Sequence, residues 1–264
     1  MKQIKSHVFL PQSILEHFSN IDKYKNHMID YIDLNDGMKI KRKRTSSFNV
    51  EFGYYYTRNE KILADEIESK IGNVIRKLYN NEDDIILKEK DIDILYKFLA
   101  YQVIRTDFFA KTAKERLKIF HNDNLKTIKN TLITVEEKLN TTYRAIKDLD
   151  IHILKNKTNL KFIMPISSMY TFNGESKHNY LWIQVLTPDI VIAFMEKGTV
   201  NSLCNQNNKL SMIKIFDEGI IEGLNMQALK VQNKEEMKMK YVIGYYDDLI
   251  KTLNEYTKLI QNKE

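Results

Sequence analysis

The chain has 264 residues, 43% of them hydrophobic, and 41 basic against 35 acidic side chains give it a formal net charge of +6. A chain of this length buries roughly 70–75% of its unfolded surface, so it needs no staples, and its one cysteine, Cys204, excludes an internal disulfide framework and a thiolate zinc cluster. Nowhere do eighteen uncharged apolar residues follow one another, and "MKQIKSHVFLPQ" lacks a signal-length apolar run. A cytoplasmic protein with no membrane span is therefore expected. The modest positive excess permits an anionic partner without demanding one, and Cys204 reads as a small apolar filler.

Pro11 suits the first turn of a helix, and Ile14, Leu15 and Phe18 fall on one face of it. Residues 28–58 look extended, with the turn signal Asn35-Asp36-Gly37 followed by β-branched and aromatic runs, which predicts an N-terminal hairpin. From Asn59 the spacing becomes helical through Ile62, Leu63, Ile67, Ile71, Val74, Ile75 and Leu78. A second helix is predicted over residues 90–121 and a third over 123–148. Around Asp150 short apolar runs such as "NYLWIQVLTPDIVIAFME", broken by Asn, Pro and Gly, read as strands. Helical spacing returns near Leu224, and residues 241–260 predict a closing helix despite Gly244.

With only eight Gly and three Pro, long helices are favoured over a turn-rich all-β fold. The expectation is an α+β protein, mostly α. It is a helical bundle with a small mixed or antiparallel sheet inserted in the C-terminal half. A single compact domain spans residues 1–264, with sub-regions 1–150, 151–222 and 223–264.

His7, Pro11, Gln12, Leu15 and Phe18 open the chain as a His…Pro…Leu-x-x-Phe element. Further landmarks are Glu60, Glu66 and Glu68, then Gln102, Arg105 and Thr106 in "QVIRT", Leu186 and Pro188, and Asn225 and Gln227 in "LNMQA". In this order they resemble a bacterial family of unknown function whose members begin with a His-x-x-Pro element. Here the His-to-Pro spacing is one residue longer. The family's Phe-x-Thr-Ser-Asp-Asn-Pro strand-turn corresponds to "FIMPISSMY", Phe162 to Tyr170, without the acidic residue. The resemblance implies a prokaryotic protein with a role in host–phage conflict, and no particular reaction.

His7, before a helix start, reads first as a tether to a carboxylate or carbonyl, and otherwise suits a general base or a phosphate contact. Arg105 interrupts an apolar helix face and needs a partner or a cleft, since burying it alone costs several kcal/mol. Glu66 or Glu68 could supply that partner, and a His7–Glu68–Arg105 cluster would be an acid–base pocket or a polar clamp. Arg116 and His121 in "RLKIFH" have the Arg-x-x-x-x-His spacing found in HEPN ribonucleases, where Arg and His meet the RNA phosphate and 2′-hydroxyl. Leu117 stands where that motif usually has a polar residue. Lys41, Arg42, Lys43 and Arg44, close to Tyr54, combine cations and aromatics in one extended region, which suits a phosphate backbone as well as a solvated hairpin tip. Asp83/Asp84 and Asp247/Asp248 read as solvated charge. The six histidines show no metal-ligand spacing, and no cofactor is expected.

Two classes of function follow. The first is a defence-associated protein acting on RNA or DNA; as a nuclease it would use His7 or His121 as acid–base group and Arg105 or Arg116 on the phosphate. The second is a non-enzymatic sensor or adaptor for a phage or host protein. A nucleotide- or small-anion-binding domain built on an Arg105 pocket is a third reading. Oligomeric state is not legible in the sequence.

Overall fold

A computed structural model of the chain describes residues 5–7, 10–48, 50–52, 67–80, 87–105, 139–170, 180–197, 210–233 and 241–261. The chain divides into two compact units, one of Met1–Phe9 with Val50–Asp148 and the other of Leu10–Asn49 with Leu149–Glu264.

In the first unit β1 (Lys5–His7) pairs antiparallel with β5 (Val50–Phe52), His7 lying opposite Val50. The predicted periodicity appears as α2 (Ser69–Asn80), whose Ile71, Val74, Ile75 and Leu78 are buried, and α3 (Glu89–Arg105), which buries Leu95, Phe98 and Leu99. The N-terminus of α3 is fixed by its own acid: the Lys88 amide donates to Asp91 Oδ2 at 2.9 Å, the reach-back of an N3 carboxylate to the residue before the helix. Residues 139–146 are also helical. The remainder of the helices expected over 90–121 and 123–148 lies outside the described residues.

The second unit holds α1 (Gln12–His17), β2 (Ser19–Ile21), β3 (His27–Asp33) and β4 (Lys39–Arg44), then a 3₁₀ turn at Thr45–Ser47. After β6 (Asp150–Asn156) come β7 (Met164–Pro165), β8 (Met169–Tyr170), β9 (Tyr180–Thr187), β10 (Ile190–Met195) and β11 (Leu210–Ile215). The unit closes with α4 (Glu218–Gln232), β12 (Tyr241–Gly244) and α5 (Tyr246–Gln261).

Two five-stranded sheets result. One runs β11-β6-β10-β9-β8, antiparallel except for the parallel β11–β6 pair. The other is centred on β3: β4 takes one edge, while β2 and β12 share the opposite edge and β12 continues to β7. The predicted hairpin is β3–β4, its turn carried by Gly37 and Met38 at φ +60° and +59°, the left-handed region that glycine enters without cost.

These sheets overturn the expectation of a mostly helical bundle with one small sheet; the protein is a mixed α/β fold. The described strands are at most eight residues long, and β3 finds its partner β12 about two hundred positions away, so local periodicity does not announce them. Residues 241–244 make the point: they extend the closing helix by sequence spacing, yet they form β12 between β3 and β7. Gly244 permits this, because a Cβ there would stand 2.9 Å from Ile163 Cγ2 and 3.1 Å from Leu249 Cδ2.

Strands β6 and β10 are buried along their whole lengths, which brings polar groups inside. Asn156 uses both ends of its amide, donating to Leu160 O and accepting from the Thr158 amide and hydroxyl. His152 Nδ1 meets the Ser211 hydroxyl, and burial pushes this imidazole below its ordinary range, keeping it neutral. Helices α4 and α5 pack against each other, α4 also on β7 and β12, α5 on β3 and β12. Asn225, 1% exposed, ties α4 to the loop that leads into β7: its Oδ1 accepts from the Ile163 amide at 2.9 Å and its Nδ2 donates to Lys161 O at 2.8 Å.

Candidate anion-binding groove

Helices α2 and α3 run antiparallel, as two contacts show. Lys77, near the end of α2, meets Asp91 at the start of α3, and Glu68, just before α2, accepts from the Tyr101 hydroxyl at 3.4 Å near the end of α3. Burying the apolar faces turns the polar faces to the outside of the pair. Between them lies a groove of about 600 Å³ lined from α2 by Lys70, Asn73, Arg76, Lys77 and Asn80 and from α3 by Lys90, Asp91, Asp93 and Lys97, with Val74 and Ile94 at its floor.

Five cations line this groove against two carboxylates. Each carboxylate is committed to the protein. Asp91 is only 6% exposed and takes both of its short contacts, 2.7 Å each, from Lys77 Nζ. Burial works against its ionisation, but the Lys77 ammonium and the Lys88 amide outweigh burial and hold it below the usual carboxylate range. Asp93 meets Lys97 at 2.8 Å and accepts a short hydrogen bond from the Tyr143 hydroxyl. That bond, with burial, pushes the Tyr143 phenol up to about 12, so it remains a donor throughout the working range. Lys70, Arg76 and Lys90 are exposed and stand outside both ion pairs. The groove therefore carries surplus positive charge in a concave setting, which concentrates counter-ions more than a flat surface does.

The residues singled out from sequence are distributed as follows. Glu68 stands just ahead of α2 and Arg105 ends α3, so antiparallel packing brings their backbones to the same end of the helix pair. His7 is on β1. The side chains of His7 and Arg105, and Arg116, His121, Tyr54, Cys204 and Asp83/Asp84 altogether, lie outside the described residues. Lys41, Arg42, Lys43 and Arg44 form β4, but half of that charge is consumed locally. Lys41 pairs with Asp33 and Asp36, both at 2.8 Å, and Arg42 makes a two-pronged contact to the buried Asp30 at 2.6 and 2.8 Å. Lys43 and Arg44 are exposed.

Asp248 is not solvated charge: it accepts from the Lys161 amide at 3.0 Å, and burial raises its carboxyl above the usual range. The "FIMPISSMY" turn is structural in its contacts. The Phe162 amide donates to Pro188 O, Ser168 sits at φ +56°, and the Val185 amide donates to Ser168 O. Sequence reading missed the groove lysines, although their seven-residue spacing, Lys70 to Lys77 and Lys90 to Lys97, is visible in the chain. Among the described residues no group of three or more His, Cys, Asp or Glu is placed to hold a metal ion, and no helix is long and apolar enough to cross a membrane.

The family described as "Protein of unknown function (DUF4238)" matches residues 6–213. The chain belongs to this family. The DUF4238 span includes α2, α3 and the groove, and it ends inside β11. Asn225 and Gln227 lie beyond the DUF4238 match, as do α4, β12 and α5, although β12 is the strand that joins β3 to β7. No curated protein and no solved structure matches the chain.

Proposed function

We propose that this protein binds the phosphate backbone of RNA or DNA in the α2–α3 groove. The observation that carries the reading is the groove's lining: Lys70, Arg76, Lys77, Lys90 and Lys97 converge on one concavity while its two carboxylates are held by protein partners. Cations so placed release condensed counter-ions when phosphates enter, a favourable and sequence-independent term. A nuclease activity extends this proposal to His7, Arg105, Arg116 and His121, and a role in phage defence extends it to the cell. Neither extension is needed for binding.

The test is anisotropy of a labelled single-stranded 12-mer, RNA and DNA in turn, titrated with the protein over a salt series. Replacing Lys70, Arg76 and Lys90 together by alanine leaves both ion pairs intact and is expected to weaken binding at least tenfold. The slope of log K against log salt should fall by about 2, given roughly 0.7 per phosphate contact on a single strand. Unchanged affinity and slope in a folded triple variant would refute the groove as the binding site. Incubation of the wild type with the same strands, with and without divalent metal, tests cleavage separately.

A further inference from the structure

The helical residues 139–146 bring an aromatic ring to the edge of the groove. Tyr143 lies in the body of that helix, its carbonyl accepting from the Lys147 amide at 2.9 Å, and its hydroxyl donates to Asp93 Oδ1, on one of the two carboxylates that line the groove. The other oxygen of Asp93 takes Lys97 Nζ at 2.8 Å, and that ammonium stands 5.9 Å from the centroid of the Tyr143 ring. Burial works against the ionisation of Asp93, but the bonds from Lys97 and Tyr143 and the charges of Lys97 and Lys70 outweigh it and hold the carboxyl below the usual range. Around Asp93, then, a lysine from each helix and a phenol ring come together.

The ring has a use beyond its hydroxyl. Tyr143 is partly exposed, and no ring contact joins it to another aromatic among the described residues. The bond to Asp93 holds it in place before a ligand arrives, so stacking on it costs little ordering. A phosphate that takes Lys97 carries its own sugar and base to this ring. In a duplex that base is paired and stacked inward, whereas in a single strand it can lie on an aromatic side chain. The five groove cations alone would favour the duplex, whose phosphates are more densely spaced.

Resting on the backbone-binding reading above, we infer that Tyr143 is a base-stacking platform at the rim of the groove, and that the ligand of the groove is a single strand rather than a duplex. Stacking tolerates every base, so the form of the nucleic acid is selected and its sequence is not.

The experiment is anisotropy at one salt concentration with three ligands: the labelled 12-mer, the same strand annealed to its complement, and an abasic 12-mer with the same phosphates. The wild type, which needs no variant to fold, should bind the 12-mer more tightly than the duplex and about fivefold or more tighter than the abasic strand, the low end of what stacking one base contributes. The ratio of 12-mer to abasic affinity cancels electrostatic changes common to both. Tyr143→Leu should bring that ratio close to one, while Tyr143→Phe, which loses the Asp93 bond but keeps the ring, should preserve it within about twofold. A wild-type ratio near one, tighter binding of the duplex, a ratio unchanged in Tyr143→Leu, or one lost equally in Tyr143→Phe would overturn the stacking platform while leaving backbone binding standing. Failure of all three ligands to bind would overturn both.

Discussion

Asn225 is expected to be the most sensitive polar position in the second unit. Its side chain is 1% exposed and satisfies two main-chain groups at once, the Ile163 amide and the Lys161 carbonyl, in the loop that feeds β7. Asn225→Ala would leave a buried donor and a buried acceptor unpaired. An unsatisfied buried group costs about 1–3 kcal/mol, and because the carbonyl has a second lone pair to use, the combined loss should be about 2–4 kcal/mol. At about 2–4 °C per kcal/mol for a unit of this size, the melting temperature should fall by roughly 9 °C.

Asn225→Asp separates the two bonds. A carboxylate still accepts from Ile163 but cannot donate to Lys161, and its burial raises its pKa. The folded state then holds a proton that the unfolded state releases, so stability should rise as pH falls from 8 towards 5, where a protonated carboxyl can again donate. Urea titrations followed by circular dichroism at the two pH values would measure this, with exposed Lys230→Ala as a control expected within about 0.5 kcal/mol. An Asn225→Ala variant within 0.5 kcal/mol of wild type, or an Asp variant indifferent to pH, would refute the claim that these two bonds hold the loop.

Two further outcomes follow from named contacts. Asp91→Asn should cost about 1 kcal/mol at pH 7, since it keeps an acceptor for the Lys88 amide but loses the charge paired with Lys77. Because the folded carboxyl titrates below the ordinary carboxylate range, the wild-type advantage is present above that range and disappears as pH falls through the lower folded value, which paired urea titrations across the acid range would detect. Gly244→Ala should destabilise by about 1–3 kcal/mol, because its methyl would press on Ile163 and Leu249 in a packed interior. Thermal unfolding would show the loss, and a variant as stable as wild type would mean that β12 and its neighbours shift freely.

What the sequence determined by itself was local: the apolar faces of α1, α2 and α3, the β3–β4 hairpin with its Asn-Asp-Gly turn, and the Thr187-Pro188-Asp189 turn between β9 and β10. In each, the deciding forces act within a few residues, through helical periodicity or turn chemistry. Its landmarks also sufficed to indicate a family of unknown function. The tertiary structure decided the rest. Residues 241–244 are helical by spacing and become a strand because β3 and β7 offer hydrogen-bonding edges. Lys41 and Arg42 are dense positive charge in sequence, but strand register sets Asp30 and Asp33 beside them. Lys70, Lys77, Lys90 and Lys97 look like ordinary solvated lysines until two helices pack antiparallel and bring them to one groove. Charge in a sequence is only a sum, whereas its use depends on which distant residues the fold places within a few ångströms.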